Sequence, residues 1–276
     1  MLLSESPRLI VRTTPGTLFC EWLALLKKIM NQYETFYQLH HGNKPLIIAN
    51  AWNVKTAQMI ENNGYAAIAT SSGAIAGSLG YEDGEKIPFP ELLYIVQRIK
   101  ACTSVPLSID FEKGYTDNLN QLTDHLQRLI DAGVSGINLE DSQGEDIYLK
   151  KLSSIKNHLL KNNQQLFINA RTDGFLLKLA SPLETTLRRA KLYQDAGADG
   201  LFVTAVRDLD SIRAITAATT LPVNVVGVPG ITSVAALSAC GVRRISMAVL
   251  LYKATYQHTE KLLKAIKAED SFEALY

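Results

Sequence analysis

The chain has 276 residues, of which 47% are hydrophobic, and both values are typical of one large globular domain. Its 28 Lys and Arg residues balance 27 Asp and Glu residues, so no overall field attracts nucleic acid or an anionic membrane. No run of about 18 apolar residues exists, which argues against a membrane span. We therefore expect a small-molecule enzyme that binds neither nucleic acid nor membrane.

The three cysteines, Cys20, Cys102 and Cys240, are widely spaced and odd in number. This pattern favours neither a disulfide framework nor a CxxC metal site, and it fits a reducing cytoplasm, where we place the protein. Residues 1–30 are interpreted as an extension of uncertain role, because Glu21 interrupts a stretch that would otherwise imitate a secretory signal. Residues 31–276 are then one catalytic domain.

A repeated phrase organises the chain: a helical stretch ends at a glycine, and a short apolar strand follows it. Glycine suits the left-handed position that ends a helix. The glycines are Gly64, Gly133, Gly197 and Gly241, and the strands after them are residues 66–70, 136–139, 200–203 and 243–247. Four further apolar runs, residues 45–49, 106–109, 166–168 and 222–226, complete a predicted set of eight strands.

The strands are apolar throughout, as expected for parallel strands that helices cover. Helices are predicted between them, including residues 54–62, 89–101, 119–131, 183–195 and 234–239. Alternating strands and helices produce either a barrel or a doubly wound sheet. Eight such units in a chain of this length favour a (β/α)8 TIM barrel, whose catalytic groups lie where strands end and the following loops begin.

Acidic residues follow two neighbouring strands. Asp110 and Glu112 end the third strand, and because residues two apart in an extended segment share a side, both are expected to point into the barrel mouth. Glu140 ends the fourth strand. Three carboxylates in one mouth repel one another unless a cation offsets their charge, and all-oxygen ligands favour Mg²⁺ or Mn²⁺. The alternative is that these acids cap helices or form surface ion pairs.

Two other strand ends carry groups that suit anions. Arg171 ends the fifth strand, and its planar fork matches a substrate carboxylate; an internal ion pair with Asp173 or Glu140 is the alternative. The second strand leads into a turn whose hydroxyls and amides are available to a second anionic group, formed by Ser71, Ser72 and Gly73. The remaining strand ends are polar without being diagnostic: Asn50, Thr204, Asn224 and Ser246.

The sequence offers no obvious nucleophile or proton shuttle. All five histidines fall on predicted helices or before the first strand, and Cys102 and Cys240 precede strands on the face opposite the predicted site. The glycines around Gly227 and Gly230 do not form a dinucleotide fingerprint, and no P-loop is present. Nicotinamide, flavin and ATP chemistry therefore lose support.

At these residues the chain resembles the isocitrate lyase/phosphoenolpyruvate mutase superfamily, especially its small carboxyvinyl-carboxyphosphonate phosphorylmutase-like and methylisocitrate lyase-like members. The similar phrases, in order, are Asn50-Ala51-Trp52, Thr70-Ser71-Ser72-Gly73, residues 78–84, Asp110-Phe111-Glu112-Lys113-Gly114-Tyr115, Asn138-Leu139-Glu140-Asp141 and Asn169-Ala170-Arg171-Thr172-Asp173. The resemblance implies a barrel whose eighth helix is exchanged between subunits of a homodimer or homotetramer.

The resemblance also implies roles for single residues. The metal, Mg²⁺ or Mn²⁺, would be held near Asp110, Glu112 and Glu140, with Asp83 joining through water. Ser71, Ser72 and Gly73 would cradle the carboxylate and keto oxygens of the substrate, and Arg171 would hold a carboxylate or phosphonate. The substrate-binding set is completed by Asp83, Asn169 and Asn224. Family chemistry breaks a bond alpha to a carbonyl and passes through a pyruvate enolate.

The chain departs from the superfamily pattern after Glu140. The lyase phrase that carries the catalytic cysteine is replaced by Asp141-Ser142-Gln143-Gly144-Glu145-Asp146, and the mutase gating loop is absent. Thr116 and Asn53 also differ from the residues usual in close relatives. These departures call into question both isocitrate-type cleavage by the usual cysteine and true mutase activity.

The leading hypothesis is a Mg²⁺-dependent lyase or decarboxylase that cleaves a carbon–carbon bond in a small 2-keto or 2-hydroxy dicarboxylate. In this scheme the metal and the Ser71 region would bind the pyruvyl end, Arg171 would bind the distal anion, and Tyr81 or a metal-bound water would move the proton. One alternative is a carbon–phosphorus mutase or hydrolase acting on a phosphonate. A second, from a different class, is a catalytically weak barrel that binds metabolites as a scaffold.

Overall fold

The computed structural model describes residues 32–276; the predicted extension at residues 1–30 lies outside the described residues. Eight parallel strands pair in sequence order, and the last pairs with the first, so the sheet closes. The strands are β1 (Leu46–Ala51), β2 (Ile68–Thr70), β3 (Leu107–Asp110), β4 (Gly136–Glu140), β5 (Phe167–Thr172), β6 (Gly200–Val203), β7 (Val223–Val226) and β8 (Arg244–Ser246). The predicted (β/α)8 TIM barrel is confirmed, and the doubly wound sheet is excluded.

Helices surround the barrel and connect successive strands. They are α1 (residues 32–40), α2 (Val54–Asn62), α3 (Ser72–Ser78), α4 (Phe89–Ala101), α5 (Leu119–Asp131), α6 (Glu145–Lys161), α7 (Pro182–Asp195), α8 (Leu209–Ala217), α9 (Val234–Ala239) and α10 (Leu250–Glu269). None of the helices within residues 32–276 combines the length and apolar character needed to cross a bilayer.

The repeated glycines end helices as predicted. Gly64, Gly133, Gly197 and Gly241 have φ angles of 80°, 83°, 88° and 85°, a left-handed conformation that glycine adopts without steric cost. Each follows the last turn of a helix by one or two residues, so the chain turns back toward the barrel where the next strand begins. This local chemistry sets the spacing of four of the eight strands.

Helix α1 closes the amino-terminal end of the barrel. The Phe36 ring packs edge-on against Phe167 with centroids 5.4 Å apart, and the His40 ring stacks on Phe167 at 4.1 Å. A Cβ at Gly136 would lie 2.8 Å from Phe36 Cε1, so glycine is required for this close approach. Buried Arg244 lies with its Cζ 5.9 Å from the Phe36 ring centroid, and burial lowers its pKa to about 10. The end opposite the strand carboxyl termini is therefore sealed.

Helix α10 differs from the helices that pack on the barrel, because none of its residues is buried. Its first turn contacts the barrel through Tyr252, whose ring lies edge-on to Trp52 at 5.3 Å. Farther along, Tyr256 is 47% and Leu263 62% exposed. The chain thus leaves a long helix with apolar side chains uncovered. Its exchange between subunits remains a prediction.

We predict that His40 makes the fold acid-sensitive. Burial, together with the smaller effect of nearby Arg244, lowers the pKa of His40 from 6.5 to about 3. Below pH 6.5 the His40 imidazole is protonated in the unfolded chain, whereas in the folded protein it stays neutral down to about pH 3. The contribution of His40 to stability is therefore lost as pH falls from 6.5 toward 3. The unfolding free energy of His40→Gln, measured by urea titration, should fall less between about pH 7.5 and about pH 5, by ~2 kcal/mol.

The matched control is His258→Gln, which removes an exposed imidazole from α10. Equal pH dependence of the unfolding free energy in His40→Gln and the unsubstituted chain would contradict the prediction.

Candidate active site

A cavity of about 400 Å³ opens at the carboxyl ends of the strands. Every strand contributes to its lining, either within the last three residues of the strand or in the residue that follows: Asn50, Ser71, Asp110, Asn138, Arg171, Phe202, Val226 and Ser246. A larger groove of about 960 Å³ lies between α1 and the segments that precede β1 and β2. In TIM-barrel enzymes the chemistry occurs at the carboxyl ends of the strands, so the smaller cavity is the candidate active site.

The turn after β2 brings hydrogen-bond donors to the acidic strand end. Ser71 caps α3, accepting from the Ala74 amide at 3.4 Å. The Ser72 amide and hydroxyl both donate to Asp110 Oδ2, at 3.2 and 2.9 Å. A Cβ at Gly73 would lie 2.8 Å from Asp83 Oδ2, so only glycine admits that carboxylate. All three predicted residues, Ser71, Ser72 and Gly73, line the cavity together with Asp83 and Asp110.

The four acids predicted to hold a metal lie near one another but are not equivalent. Glu112 does not share a side with Asp110 through strand alternation, since β3 ends at Asp110 and Glu112 has a left-handed φ of 45°. That expectation was wrong in its geometry. Glu112 is instead buried and accepts from the Tyr115 hydroxyl at 2.9 Å. Burial, Asp110 and other nearby carboxylates raise the pKa of Glu112 to about 8.

Glu140 and Arg171 meet across neighbouring strands. Arg171 Nη1 lies 2.9 Å from Glu140 Oε2 and 3.8 Å from Asp110 Oδ1. Arg171 also donates to both oxygens of Asp173, from Nε at 2.8 Å and from Nη2 at 3.0 Å. Burial alone would lower the pKa of Arg171, but the three carboxylates raise it above its usual value. The alternative of an internal ion pair is thus realised, while Arg171 still lines the cavity.

Oxygen donors around Asp110 fit a hard divalent cation. Within residues 32–276 no three His, Cys, Asp or Glu side chains already converge on a metal-binding point. However, Asp110 Oδ1 is buried without a hydrogen-bond partner, an orphaned acceptor that a cation would satisfy. Burial also raises the pKa of Glu140 to about 7, despite the attraction of Arg171. A cation would relieve the same cost of burying several carboxylates together.

Five residues predicted for the site are not among those that line the cavity: Glu112 and Glu140, described above, and Asn169, Asn224 and Tyr81. Asn169 is 1% exposed and donates to Asn138 Oδ1 at 2.9 Å, so it supports a lining residue. Asn224 is also 1% exposed and lies on β7 two residues before the lining residue Val226. Its side-chain amide has no hydrogen-bond partner among the described residues. The Tyr81 hydroxyl donates to Glu91 at 2.9 Å, away from the cavity. The sequence did not predict these positions, because depth along a strand and loop direction depend on tertiary packing.

Three lining residues with functional side chains were missed. Asn138 lines the cavity from β4, two residues before the last residue of that strand, Glu140. Arg207 lies between β6 and α8, and Lys253 lies in the first turn of α10. Arg207 and Lys253 follow the sixth and eighth strands, and this position in the sequence could have indicated that they belong to the site. Arg207, however, lies three residues beyond Thr204, the polar residue taken as the end of its strand. Lys253 belongs to a helix whose direction no local pattern predicts.

The connection after β4 is short. Residues 141–144 join β4 directly to α6, which agrees with the missing gating phrase. Asp141 there is 1% exposed and receives Arg189 Nη1 at 2.7 Å, the Tyr193 hydroxyl at 2.6 Å and the Asp173 amide at 2.9 Å. This segment therefore anchors β4 to β5 instead of forming a long loop over the cavity.

The fold and the site define a barrel enzyme with an acidic, oxygen-rich catalytic end. The sequence profile described as phosphoenolpyruvate phosphomutase matches residues 36–267. The chain therefore belongs to the phosphoenolpyruvate mutase family, within the superfamily of lyases and mutases that includes isocitrate lyase.

The chain is similar to one uncharacterised protein and to two proteins whose names give an activity. An uncharacterised protein of Mycobacterium tuberculosis is 34% identical over 80% of this chain and 84% of its own length. Oxaloacetate decarboxylase of Rhodopseudomonas palustris is 30% identical over 69% of this chain and 68% of its own. A Burkholderia cenocepacia crystal structure, provisionally designated a phosphonomutase, is 35% identical, covering 84% of this chain and 99% of that one, with a TM-score of 0.79.

We predict that Asp173 stabilises the fold by holding Arg171. Asp173 is 2% exposed and also accepts from the Thr204 hydroxyl at 2.6 Å. Asp173→Asn removes its charge and one acceptor from the guanidinium, and should lower the unfolding free energy in urea by about 1–3 kcal/mol. Asp195→Asn, which disrupts an exposed pair with Lys191, is the control and should cost less than about 0.5 kcal/mol. Equal losses in the two variants would contradict the prediction.

Proposed function

We propose that the protein is a Mg²⁺-dependent lyase or decarboxylase that cleaves a carbon–carbon bond in a small 2-keto or 2-hydroxy dicarboxylate through a pyruvate enolate. The observation that carries this proposal is that Asp110 and Arg171 line one cavity, beside donors from the turn after β2, and that Glu140 pairs with the same guanidinium. Carbon–carbon cleavage next to a carbonyl leaves negative charge on oxygen, and this cavity supplies fixed positive charge and donors for it.

Asp110, Glu112 and Glu140 would hold Mg²⁺, with Asp83 at the edge of the site. When bound, Mg²⁺ supplies positive charge that polarises a substrate carbonyl and stabilises a developing oxyanion. The protein contributes the carboxylates and their fixed arrangement. Ser72 holds Asp110 Oδ2 through two hydrogen bonds, which leaves Oδ1 unpartnered and available as a ligand.

Arg171 would orient the reacting end of the substrate. A guanidinium has five N–H groups, and three of them are engaged by Asp173 and Glu140. Two remain to donate to a substrate oxygen, and the surrounding carboxylates fix the direction in which they point. Ser71 and Gly73 line the same side of the cavity, so the pyruvyl end of the substrate is expected to lie between this turn and Arg171.

The relatives support two reactions on the same framework. Similarity to oxaloacetate decarboxylase favours carbon–carbon cleavage, and the short segment at residues 141–144 favours a reaction that needs no long gating loop. Similarity to the structure provisionally designated a phosphonomutase keeps carbon–phosphorus chemistry as the second candidate. Both pass through an enolate, so one probe tests their shared basis.

We predict that oxalate, a stable mimic of the pyruvate enolate, binds only when Mg²⁺ is present. In calorimetric titration the unsubstituted chain should bind oxalate with Mg²⁺ and lose binding in EDTA. Asp110→Asn should weaken binding by about 100-fold or more, since it removes a ligand charge. Asp124→Asn, an exposed acid on α5, is the matched control and should bind normally.

The outcomes separate the hypotheses. Metal-dependent binding lost only in Asp110→Asn supports the proposal, and turnover can then be compared for oxaloacetate, substituted malates and phosphonopyruvate. Pyruvate and carbon dioxide from oxaloacetate identify the decarboxylase, whereas phosphate or phosphoenolpyruvate from phosphonopyruvate identifies the second candidate. Absence of oxalate binding in both conditions would remove the enolate mechanism and favour a metabolite-binding scaffold.

We further propose that α10 packs on a second copy of the chain. Tyr252, Tyr256, Leu263 and Ile266 recur at helical spacing along one side; Tyr252 and Ile266 are half-buried, whereas Tyr256 and Leu263 between them are 47% and 62% exposed among the described residues. An uncovered apolar helix stripe in a single chain is explained by burial between subunits. The homodimer or homotetramer expected from the sequence fits this arrangement.

We predict that the double variant Tyr256→Glu/Leu263→Glu is monomeric, because charges on the stripe are costly to bury. Light scattering coupled to size-exclusion chromatography measures the mass directly. Lys261→Glu, on a different side of α10, is the control and should keep the oligomer. A monomeric unsubstituted chain, or an oligomer that survives the double variant, would contradict the proposal.

A further inference from the structure

Charges around the cavity mouth are segregated by strand. The acids that line one side are Asp83, between α3 and α4, and Asp110, at the end of β3; Glu140, at the end of β4, lies beside this side of the cavity, 2.9 Å from Arg171 Nη1. The cations come from the other side of the barrel, where Arg207 follows β6 and Lys253 follows β8. Arg171, on β5, lies at the boundary between the two groups. A ligand in this cavity therefore meets an acidic wall at one end and a cationic wall at the other.

Arg171 is not the group that supplies spare positive charge. It faces three carboxylates, from Asp110, Glu140 and Asp173, so its own charge is more than balanced inside the protein. Its remaining donors can orient a substrate oxygen, but a second anionic group placed against it would meet the surrounding negative charge. The distal-anion role that the sequence assigned to Arg171 needs cations that are not already paired.

Arg207 and Lys253 meet that requirement. Both residues are exposed and line the cavity, and within residues 32–276 neither side chain has a hydrogen bond or an ion pair with a protein group. The acid beside Arg207 is engaged elsewhere, because Asp208 caps α8 by accepting from the Ser211 amide at 2.7 Å. Each cation is also preceded by a lining alanine with left-handed backbone, Ala205 at φ 59° and Ala248 at φ 49°. Such costly conformations persist where surrounding structure imposes them.

The wall between the two cations is apolar. Strand β7 lies between β6 and β8 in the barrel, and its end contributes Val226 and Val228 to the cavity. Phe202, on β6, lines the same side. A short carbon chain fits such a surface, whereas a charged group would lose hydration there without gaining a partner. The order around the mouth is thus an acidic end, an apolar middle and a cationic end.

We propose that Arg207 and Lys253 bind a second anionic group of the substrate, a carboxylate at the end distal to Ser71, Ser72 and Gly73. This inference rests on the proposed function and deepens it, because it assigns the distal carboxylate of the dicarboxylate to Arg207 and Lys253 instead of Arg171. The guanidinium fork of Arg207 sets the orientation of that carboxylate, and Lys253 adds a mobile point charge.

The test compares two ligands that differ only in the distal group. Malate and 2-hydroxybutyrate share a four-carbon chain and a 2-hydroxy acid end, but only malate carries the second carboxylate. With Mg²⁺ present, each is titrated calorimetrically against oxalate as competitor. The unsubstituted chain should prefer malate by about tenfold or more, as expected for hydrogen bonds to charged groups. Arg207→Gln/Lys253→Gln should reduce this ratio to near one.

Arg98→Gln, which removes an exposed cation from the last turn of α4, is the control and should keep the preference. Equal affinity for the two ligands in the unsubstituted chain, or a malate preference that survives in the double variant, overturns the inference. Failure of the proposed function is seen separately, because the unsubstituted chain would then not bind oxalate with Mg²⁺. The affinity ratio also distinguishes lost recognition from lost folding, since misfolding would weaken both ligands together.

Discussion

Charge compensation around Arg171 is the interaction on which the catalytic end depends. Asp110, Glu140 and Asp173 are held close together in a mostly buried site, and their mutual repulsion is offset by one guanidinium. The arrangement ties three strands together, β3, β4 and β5, at the ends where they leave the barrel. A metal ion bound at Asp110, as proposed, would add to the same balance of charges.

Barrel closure turns this local arrangement into a polarised cavity. Each strand delivers the residue at its end to one mouth, so the order of strands around the ring becomes the order of chemical groups around the ligand. Acids from β2 to β4 face cations from β6 and β8 across a small space. Within residues 32–276, helix α1 covers the other end of the barrel with Phe36 and His40. Architecture and electrostatics thus act together.

The predictions that succeeded depend on residues that are neighbours in the sequence, whereas those that did not succeed depend on contacts between residues that are distant in the sequence. The glycines at helix ends and the eight apolar strands could be predicted because each depends on a few neighbouring residues. Glu112 was misplaced because a left-handed residue interrupts the strand alternation just after Asp110. Asn169 and Asn224 lie too deep in the barrel, and Tyr81 turns toward Glu91. Depth and direction at a strand end depend on register, closure and loop packing.

The sequence by itself determined the barrel, the family and the acidic strand ends, because apolar periodicity, glycine stops and motif order are properties of contiguous residues. Only the tertiary structure decided that Arg171 forms ion pairs with carboxylates of the protein itself. It also decided that the side chains of Arg207 and Lys253 line the cavity without an ion-pair partner among residues 32–276. These facts depend on which distant residues face one another across a closed sheet. Pairing between charges is a matter of distance and burial, and neither is encoded at any single position.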